Sequence, residues 1–388
     1  MNKPIKILVH GMTGNPGGKE SCIMNYCRNI DPDKIHFDFL CVNEPPAYSQ
    51  EITNRGGKIY CIPGRRKYFT HYRELVSIFK ENKYDGFWSN ATSLPGVLLF
   101  FKIARKFGVP LRILHAHSSG IMSPIRNNRI FHEIDKRRIE KYVTDFWSCS
   151  EKASKFFYSL KTIKSSEHRI INNAINLDNF RFDSVLRDDI RKTSGLENKL
   201  VIGHIGHFSP VKNHAFLIRV FNEIYKKEPN AVLLLVGDGA LRQEIEDMVK
   251  TLNVDDAVHF WGVRSDISTL LNAMDIFVSP SKFEGLPFCL IEAQALSLPC
   301  FTSTNVSSQA KITNLLSFID LKETPEKWAD LVLAKRNYKR INMTENIRKA
   351  GYDIKTEAAN IEQYLLDRLD VIYANKNNNT STLKGGLL

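Results

Sequence analysis

Short apolar runs alternate with longer amphipathic stretches along most of the chain. The run 5–9 has the length and composition of a buried strand, whereas 69–81 repeats its apolar residues at helical spacing. This alternation is the pattern of open parallel α/β sheets. It predicts strands at 5–9, 37–42, 58–62, 86–89, 111–115, 146–149, 170–173, 200–206, 232–236, 258–261, 276–278 and 300–302, and helices that include 20–29, 69–81, 214–227 and 240–252.

A polar stretch at 183–199 separates two series of strands and helices. Because 388 residues exceed the usual size of one hydrophobic core, we expect two domains, over 1–185 and 186–355. The segment 356–374 has the pattern of one continuous amphipathic helix. The last segment, 375–388, is rich in Asn, Thr and Gly and predicts a flexible tail.

The composition is that of an ordinary globular protein, with 43% hydrophobic and 25% charged residues, and it excludes disorder for most of the chain. The longest apolar run, 94–101, is too short to span a bilayer. The apolar stretch near the N-terminus is too short for a signal peptide, so we expect a cytoplasmic protein. Seven scattered cysteines without a C-x-x-C pair predict buried, reduced thiols.

The net charge of +12 arises entirely in the first half of the chain. Residues 1–180 hold 28 Lys and Arg against 16 Asp and Glu, whereas residues 181–388 hold 26 of each class. A basic half predicts an anionic partner: nucleic acid, a phosphorylated acceptor or an acidic lipid surface. A solvated helix face is the alternative interpretation of its basic clusters, which include Arg65, Arg66, Lys67, Arg126, Arg129, Arg137 and Arg138.

Two carboxylates eight residues apart form the strongest candidate site. Glu284 stands in a Gly/Pro turn, and Glu292 lies in an apolar helix that begins near Phe288. The unpaired amides of a helix N-terminus suit a phosphate or a sugar oxygen. A buried Glu292 would need hydrogen-bonding partners, which a ribose diol could supply. The alternative is a capping Glu followed by a solvated one.

Two loops that follow strands are further candidates. The loop 206–214 could place Lys212 and backbone amides near a diphosphate, with a solvated turn as the alternative. The glycine-rich loop 11–18 lacks G-x-G-x-x-G spacing and contains Pro16, which disfavours NAD binding.

Two histidines follow a predicted strand of the first half. Alternation sends His115 and His117 to the same face. One of them could act at a sugar-transfer site, and a surface or packed pair is the alternative. A two-histidine metal site is disfavoured because no third ligand is evident.

These segments together resemble glycosyltransferase family 4, with details similar to its bacterial capsular and exopolysaccharide branch. The resemblance covers nearly the whole chain and includes the E-x7-E motif. It implies a GT-B fold, an α/β architecture of two Rossmann-like domains facing across a cleft, and a retaining reaction without a catalytic metal. The segments that carry it are Gly17-Gly18-x-Glu20, the loop from Gly206 to Lys212, Val236-Gly237-Asp238-Gly239, Asp275 to Ser281 and the pair Glu284 and Glu292.

The resemblance also implies roles for individual residues. Gly17 and Gly18 would approach the donor phosphate, His117 would lie beside the transferred sugar, and Lys212 would neutralise the diphosphate. Glu292 would bind the ribose. The sugar hydroxyls and a phosphate would be held by Glu284 and the backbone of Gly285, Leu286, Pro287 and Phe288.

The resemblance extends to the end of the chain, and the sequence departs from the family pattern at one position. The last helix, 356–374, would return to the first domain. His207 stands where the family usually has Arg, which predicts weaker or pH-dependent donor binding because Arg alone forks onto two phosphate oxygens at any pH.

The function that follows is a retaining, metal-independent hexosyltransferase without a cofactor. It would move a sugar from a nucleotide diphosphate sugar, a UDP-sugar, to a lipid-linked or oligosaccharide acceptor in capsule or exopolysaccharide synthesis. The basic cluster Arg126, Arg129, Arg137 and Arg138 would hold it at the anionic inner face of the bacterial membrane. A nucleotide-sugar epimerase of GT-B fold is the first alternative. A non-enzymatic nucleic-acid binder is the second, disfavoured because no aromatic-interleaved basic motif occurs.

Overall fold

The computed structural model describes residues 3–15, 17–118 and 126–384, and side chains are described for all of these except 126–130 and 376–384. The chain divides into two compact units. Unit 1 comprises Met1–Ala174 and Ile354–Leu388, and unit 2 comprises Ile175–Asp353. The division lies earlier than the 185/186 boundary suggested by the sequence. The reason is that Ile175 already belongs to unit 2, where its N–H donates to the Tyr352 carbonyl and its side chain is buried in the core.

Unit 1 is built on a seven-stranded sheet in the order β3-β2-β1-β4-β5-β6-β7, and every neighbouring pair is parallel. The strand expected at 170–173 is displaced, because the chain leaves the sheet after Ile170. The elements up to the division are β1 Ile5–His10, α1 Gly18–Asn29, β2 Ile35–Val42, α2 Ser49–Asn54, β3 Ile59–Ile62, α3 Tyr68–Glu81, β4 Gly86–Ala91, α4 Val97–Lys106, β5 Leu111–Ala116, α5 Arg126–Ile139, β6 Asp145–Ser148, α6 Glu151–Phe157, α7 Leu160–Ile163 and β7 His168–Ile170.

Unit 2 carries a six-stranded parallel sheet in the order β10-β9-β8-β11-β12-β13. The five strands expected from the sequence are present, and β13 was not predicted. Its elements are α8 Ser184–Thr193, β8 Leu200–Ile205, α9 His214–Lys227, β9 Ala231–Val236, α10 Arg242–Thr251, β10 Val258–Phe260, α11 Ile267–Ala273, β11 Ile276–Ser279, α12 Phe288–Ala295, β12 Cys300–Ser303, β13 Leu316–Ile319, α13 Pro325–Leu333 and α14 Thr344–Lys349.

The last helix, α15, spans Ile354–Lys384 and belongs to unit 1. It contacts α1, and two of its side chains bond the buried carboxylate of Asp145: Arg368 Nε lies 2.9 Å from Oδ1, and the Tyr364 hydroxyl donates to the same oxygen. The charge of Arg368 compensates the burial of Asp145. Because the helix continues to Lys384, the expected flexible tail at 375–388 is helical over its described part.

Both cores consist of strand and helix side chains packed on the two faces of each sheet. In unit 1, Leu8, Phe87 and Leu114 of the central strands are fully buried, and in unit 2 Ile202 and Phe277 are fully buried. All seven cysteines are free, and Cys61 is exposed, contrary to the expectation that all would be buried. No helix in the described part of the chain is both long and apolar enough to cross a membrane.

Candidate active site

The candidate residues of unit 2 lie where the strand order of its sheet reverses. From β8, the chain runs outward to β9 and β10, then returns to β11 on the other side of β8. The chain therefore leaves β8 and β11 in opposite directions along the sheet, and open α/β sheets bind their ligands at the carboxyl edge beside such a point. Two hydrogen bonds hold the loops after β8 and β11 together: Asn213 Nδ2 to the Pro280 carbonyl at 3.0 Å, and the Lys282 N–H to the Val211 carbonyl at 2.7 Å.

Lys212 and Glu284 form an ion pair across this edge. Nζ lies 3.0 Å from Oε1 and 3.1 Å from Oε2 of Glu284, and both side chains are largely buried. The Ser281 hydroxyl donates to the same carboxylate. Burial acts to lower the pKa of Lys212, but the charge of Glu284, the influence of Cys289 and the hydrogen bond to Glu284 together outweigh it, so the pKa is raised and the lysine stays cationic.

Glu292 lies in the second turn of α12 and is half-buried. Among the residues that the structure describes, no side chain or backbone group hydrogen-bonds its carboxylate. Burial raises its pKa to about 7. Lys212, Glu284 and Glu292 all lie close enough to the buried thiol of Cys289 for their charges to act on its pKa.

The segment between the two carboxylates offers its backbone rather than its side chains. Leu286 is buried in the core, and Phe288 packs against the same core from a half-buried position. Pro287, the residue before α12, has no N–H, so the first amides of the helix are those of Phe288 and Cys289. Binding of a ligand by the backbone of this segment, at a helix N-terminus, stays a prediction.

His207 is exposed at the start of the loop after β8. Its ring lies over Gly239, where an added Cβ would stand 2.8 Å from the imidazole Cε1. Gly239 has φ +158 and follows β9, so His207 bridges the loops after β8 and β9. The described contacts do not join His207 to the pair Lys212 and Glu284, and its role on a phosphate stays a prediction.

Two buried histidines beneath the Lys212 loop were missed in the sequence. Nδ1 of His204 bonds the Val278 carbonyl at 2.8 Å, while Nε2 of His204 and both ring nitrogens of His214 are buried without a partner among the described residues. The two rings lie 4.8 Å apart, and His214 stacks on Phe208. Burial holds the pKa of His204 well below its usual value and lowers that of His214 to about 4. Both imidazoles are therefore neutral, and their only sequence signal was a position beside the loop.

In unit 1, the strand order reverses between β1 and β4, and His117 lies near this point. Its Nε2 is 2.9 Å from Oδ1 of Asn90, and Asn90 Nδ2 donates to the His10 carbonyl at 3.3 Å. Because the amide oxygen can only accept, Nε2 of His117 carries the proton and Nδ1 is an acceptor. Burial, followed by the charges of His115 and Lys19, holds the pKa of His117 well below its usual value.

The two histidines of β5 and its end share one face, as alternation predicts. Their ring centroids are 4.0 Å apart. His115 is fully buried, stacks on Trp88, and has no hydrogen-bond partner for either nitrogen among the described residues. The packed interpretation therefore fits His115, whereas His117 is half-buried and keeps a polar edge.

The glycine-rich loop of unit 1 leads into α1 through Gly17 and Gly18. Gly17 precedes the helix with an extended backbone, and Gly18 is its first residue. Glu20 folds back onto the loop, where Oε1 accepts from the N–H of Thr13 at 3.2 Å, and a Cβ on Gly17 would lie 3.0 Å from Oε2 of Glu20. Lys19, which the sequence did not single out, donates to the Gly11 carbonyl. Approach of Gly17 and Gly18 to a phosphate stays a prediction.

Comparison with known proteins identifies the family of the chain. The family model for glycosyl transferases group 1 matches residues 187–349. The chain is 31% identical to EpsF of Bacillus subtilis (strain 168) over 364 residues, which cover 91% of this chain and 94% of EpsF. It is 34% identical to an uncharacterized glycosyltransferase of Haemophilus influenzae over 293 residues, covering 74% of this chain and 76% of that relative.

Solved structures confirm the expected GT-B class of two parallel α/β units. Anabaena HepE in complex with UDP and glucose matches with a TM-score of 0.69 and 16% identity, covering 97% of this chain and all of HepE. At this identity, the likeness concerns the fold. The two relatives, each more than 30% identical over more than two thirds of the chain, show that this protein belongs to the group 1 glycosyltransferases.

Proposed function

We propose that the protein transfers a hexose from a UDP-sugar to a lipid-linked or oligosaccharide acceptor during bacterial exopolysaccharide or capsule synthesis. The reaction retains the anomeric configuration and uses no catalytic metal or other cofactor. One relative, 31% identical over 150 residues that cover 37% of this chain and 38% of its own, is named as a UDP-Gal:alpha-D-GlcNAc-diphosphoundecaprenol galactosyltransferase of Escherichia coli. Its name supports both the donor and the acceptor class.

The observation that carries the proposal is the charge arrangement at the edge of unit 2. A cationic Lys212, a helix N-terminus and the unpartnered carboxylate of Glu292 lie close to Cys289. A nucleotide diphosphate has complementary groups: an anionic diphosphate for Lys212 and the α12 amides, and a ribose diol for Glu292. An ion pair between Lys212 and Glu284 keeps the lysine in place before a donor arrives.

The transfer breaks the bond between the anomeric carbon and the diphosphate oxygen, and the electron pair leaves with the diphosphate. The acceptor hydroxyl forms the new bond on the same face of the sugar and passes its proton to the departing diphosphate oxygen, which lies on that face. Lys212 and the α12 amides stabilise the departing charge, which is the largest electrostatic demand of the step. Glu284, freed from part of its ion pair, accepts from sugar hydroxyls.

In unit 1, the proposal assigns neutral groups to the sugar. Nδ1 of His117 is an acceptor, because Nε2 is committed to Asn90. A sugar hydroxyl can donate to Nδ1, and the low pKa of His117 keeps this nitrogen unprotonated at neutral pH. Gly17 and Gly18, which carry no bulky side chain, would let a donor phosphate approach the start of α1.

The proposal also includes reversible association with the cytoplasmic face of the membrane. Unit 1 holds 32 Lys and Arg against 19 Asp and Glu, so the whole positive excess lies in the unit assigned to the acceptor. Arg137 and Arg138 are exposed on α5, while the side chains of Arg126 and Arg129 lie outside the described residues. Cations near an anionic bilayer contribute about 1 kcal/mol each.

The deciding experiment incubates the purified protein with a panel of nucleotide sugars, with and without a polyprenyl-diphosphate sugar acceptor. Acceptor-dependent release of UDP, unchanged by EDTA, and an α-linked product from an α-linked donor would support the proposal. Sugar release or epimerisation without acceptor would favour the epimerase. Release of a different nucleotide would overturn the donor assignment alone.

A further inference from the structure

An aromatic and cationic segment protrudes from unit 1 where β3 leads into α3. Phe69 is 87% exposed and Tyr68 is 53% exposed. The three residues before them, Arg65, Arg66 and Lys67, are also exposed. Single exposed apolar residues are common, but two aromatic rings beside three cations on one protrusion mark an interaction surface.

The packing of α3 does not require an aromatic residue at position 69. The helix buries Leu75, Ile78 and Phe79 in the core. Phe69 lies on the opposite, solvent face together with the exposed cations Arg73 and Lys80. Because Phe69 buries little of its surface, its ring contributes almost nothing to the stability of this unit. We therefore ask which partner outside the chain would cover it.

A second exposed apolar pair lies on α5. Phe131 is 55% exposed and Ile134 is 39% exposed. At spacings of three and four residues, Asp135 and Arg138 share their face of the helix. This face again combines apolar groups with a cation, because Arg138 is exposed.

Gly96 connects the two segments. The guanidinium of Arg65 lies against it, leaving no room for a Cβ, and the carboxylate of Asp135 hydrogen-bonds its backbone. Arg65 and the Phe131 face of α5 are therefore neighbours. We call the surface formed by Arg65, Arg66, Lys67, Tyr68, Phe69, Phe131, Ile134 and Arg138 the aromatic–basic patch.

We propose that the aromatic–basic patch docks unit 1 on an anionic bilayer, with Phe69 and Tyr68 entering the headgroup region. This inference deepens the proposed function and rests on it, because a lipid-linked acceptor must be met at a membrane. Aromatic rings flanked by Lys and Arg are the composition of interfacial anchors. The net positive charge of unit 1 complements anionic headgroups.

A second copy of the chain fits this surface less well. Two-fold association would bring the same patch together from both subunits, so Arg65, Arg66 and Lys67 would face their own like charges. The bilayer surface carries the opposite sign. The patch therefore predicts two separable contributions, a cationic one that salt screens and an apolar one that salt leaves intact.

The first test measures sedimentation with vesicles of phosphatidylcholine and phosphatidylglycerol at low and high salt. Phe69→Ser should lower the partition coefficient about tenfold at both salt concentrations. Arg65→Gln with Arg66→Gln and Lys67→Gln should lower it at low salt only. Leu160→Ser is the matched control, because Leu160 is 72% exposed in the same unit but outside the patch, and should change nothing.

The second test measures how deeply residue 69 enters the bilayer rather than how tightly the protein binds to it. Phe69→Trp adds an exposed indole to a chain in which Trp88, Trp147 and Trp328 are fully buried and Trp261 is half-buried, so the emission of the variant is compared with that of wild type. The emission of the added indole should shift to the blue on vesicle binding and be quenched by brominated lipid. Equal binding of wild type and Phe69→Ser, or an unshifted Phe69→Trp emission in bound protein, would overturn the inference. So would a dimer without vesicles that Phe69→Ser dissociates.

Activity in detergent separates this inference from the proposed function. All patch variants should keep wild-type rates with a water-soluble acceptor analogue, because none of these residues lies in the candidate active site. Vesicle binding through Phe69 in a protein that releases no UDP would refute the proposed transfer and leave the docking intact. Normal transfer without vesicle binding would refute the docking alone.

Discussion

The two units place their candidate residues at the same topological position, but the side chains at that position differ in charge. In unit 2, the cation after the first strand, Lys212, pairs across the edge with Glu284 of another loop. In unit 1, the corresponding cation, Lys19, bonds its own loop and the adjacent Glu20. The side chains that pair at that edge are His117, which is half-buried, and Asn90, which is buried, and both are neutral. The parallel sheet supplies the location in both units, and the proposed function assigns the diphosphate to the lysine that pairs across the edge and the neutral sugar to the unit whose lysine bonds its own loop.

Neutral histidines accompany both sites. Burial lowers the pKa of His115 to about 3 and that of His214 to about 4. These rings fill space below each edge without adding charge. The charge difference between the units therefore rests on Lys212, Glu284 and Glu292, and each can be altered separately.

The largest expected effect is the loss of the cation in unit 2. Lys212→Ala should lower kcat/KM about 100- to 1000-fold, because it removes roughly 3–4 kcal/mol of stabilisation of the departing diphosphate. Steady-state UDP release at saturating acceptor measures it. Lys282→Ala is the matched control, since Lys282 is exposed in the neighbouring loop and should behave as wild type. Wild-type turnover in folded Lys212→Ala would remove the anion site from unit 2.

Glu292 should give a smaller, pH-dependent effect. Its pKa of about 7 means that the carboxylate ionises as pH rises through neutrality, and the ionised form accepts ribose hydroxyls better. UDP affinity should thus increase between pH 6 and pH 8 by about tenfold in wild type. Glu292→Gln should bind about tenfold more weakly at pH 8 and show a flat profile. Calorimetric titration of UDP at both pH values is the measurement.

The raised pKa of Glu292 also predicts how the stability of the unliganded protein depends on pH. Because the folded pKa of Glu292 is raised above the unfolded value, stability decreases as pH rises from the unfolded pKa through about 7. Glu292→Gln lacks this loss and should melt at a higher temperature than wild type above pH 7, with the difference shrinking toward pH 5. An identical pH dependence of Tm in both proteins would contradict a raised pKa for Glu292.

In unit 1, removal of a neutral hydrogen-bonding group should cost about tenfold in kcat, corresponding to roughly 1–1.5 kcal/mol for one hydrogen bond. His117→Ala should show this loss with little change in UDP affinity. Asn90→Ala should reproduce part of it by releasing the His117 ring. A loss confined to UDP affinity would instead place His117 on the nucleotide and break the contrast between the units.

The smallest expected effect concerns His207. Because Arg is always charged and forks onto two oxygens, His207→Arg should tighten UDP binding about threefold at low salt, and less at high salt. Arg264→His is the control, because it exchanges the same two residue types at another exposed position of unit 2. Arg264 follows β10 and pairs with Asp266. Equal UDP affinity of wild type and His207→Arg would show that His207 faces away from the phosphates.

The chain's own pattern determined much of this protein. Alternating strands and helices specified two parallel α/β sheets, and an eight-residue spacing placed Glu284 in a turn and Glu292 in α12. Both are local properties: a strand or helix is encoded by the period of its own side chains, and a turn by its own Gly and Pro. The missed β13 and the misplaced β7 lie at sheet edges and have only four and three residues, too few for a period to be read from the sequence.

Tertiary structure decided the rest. The pairing of Lys212 with Glu284 joins residues 72 positions apart and exists because β11 returns beside β8. The division at Ala174 and the extent of α15 depend on which core buries Ile175 and on Asp145 receiving Arg368. The exposure of Phe69 likewise depends on which face of α3 packs against the core. Such contacts carry no local period, because their energies come from groups distant in sequence that only the strand order brings together.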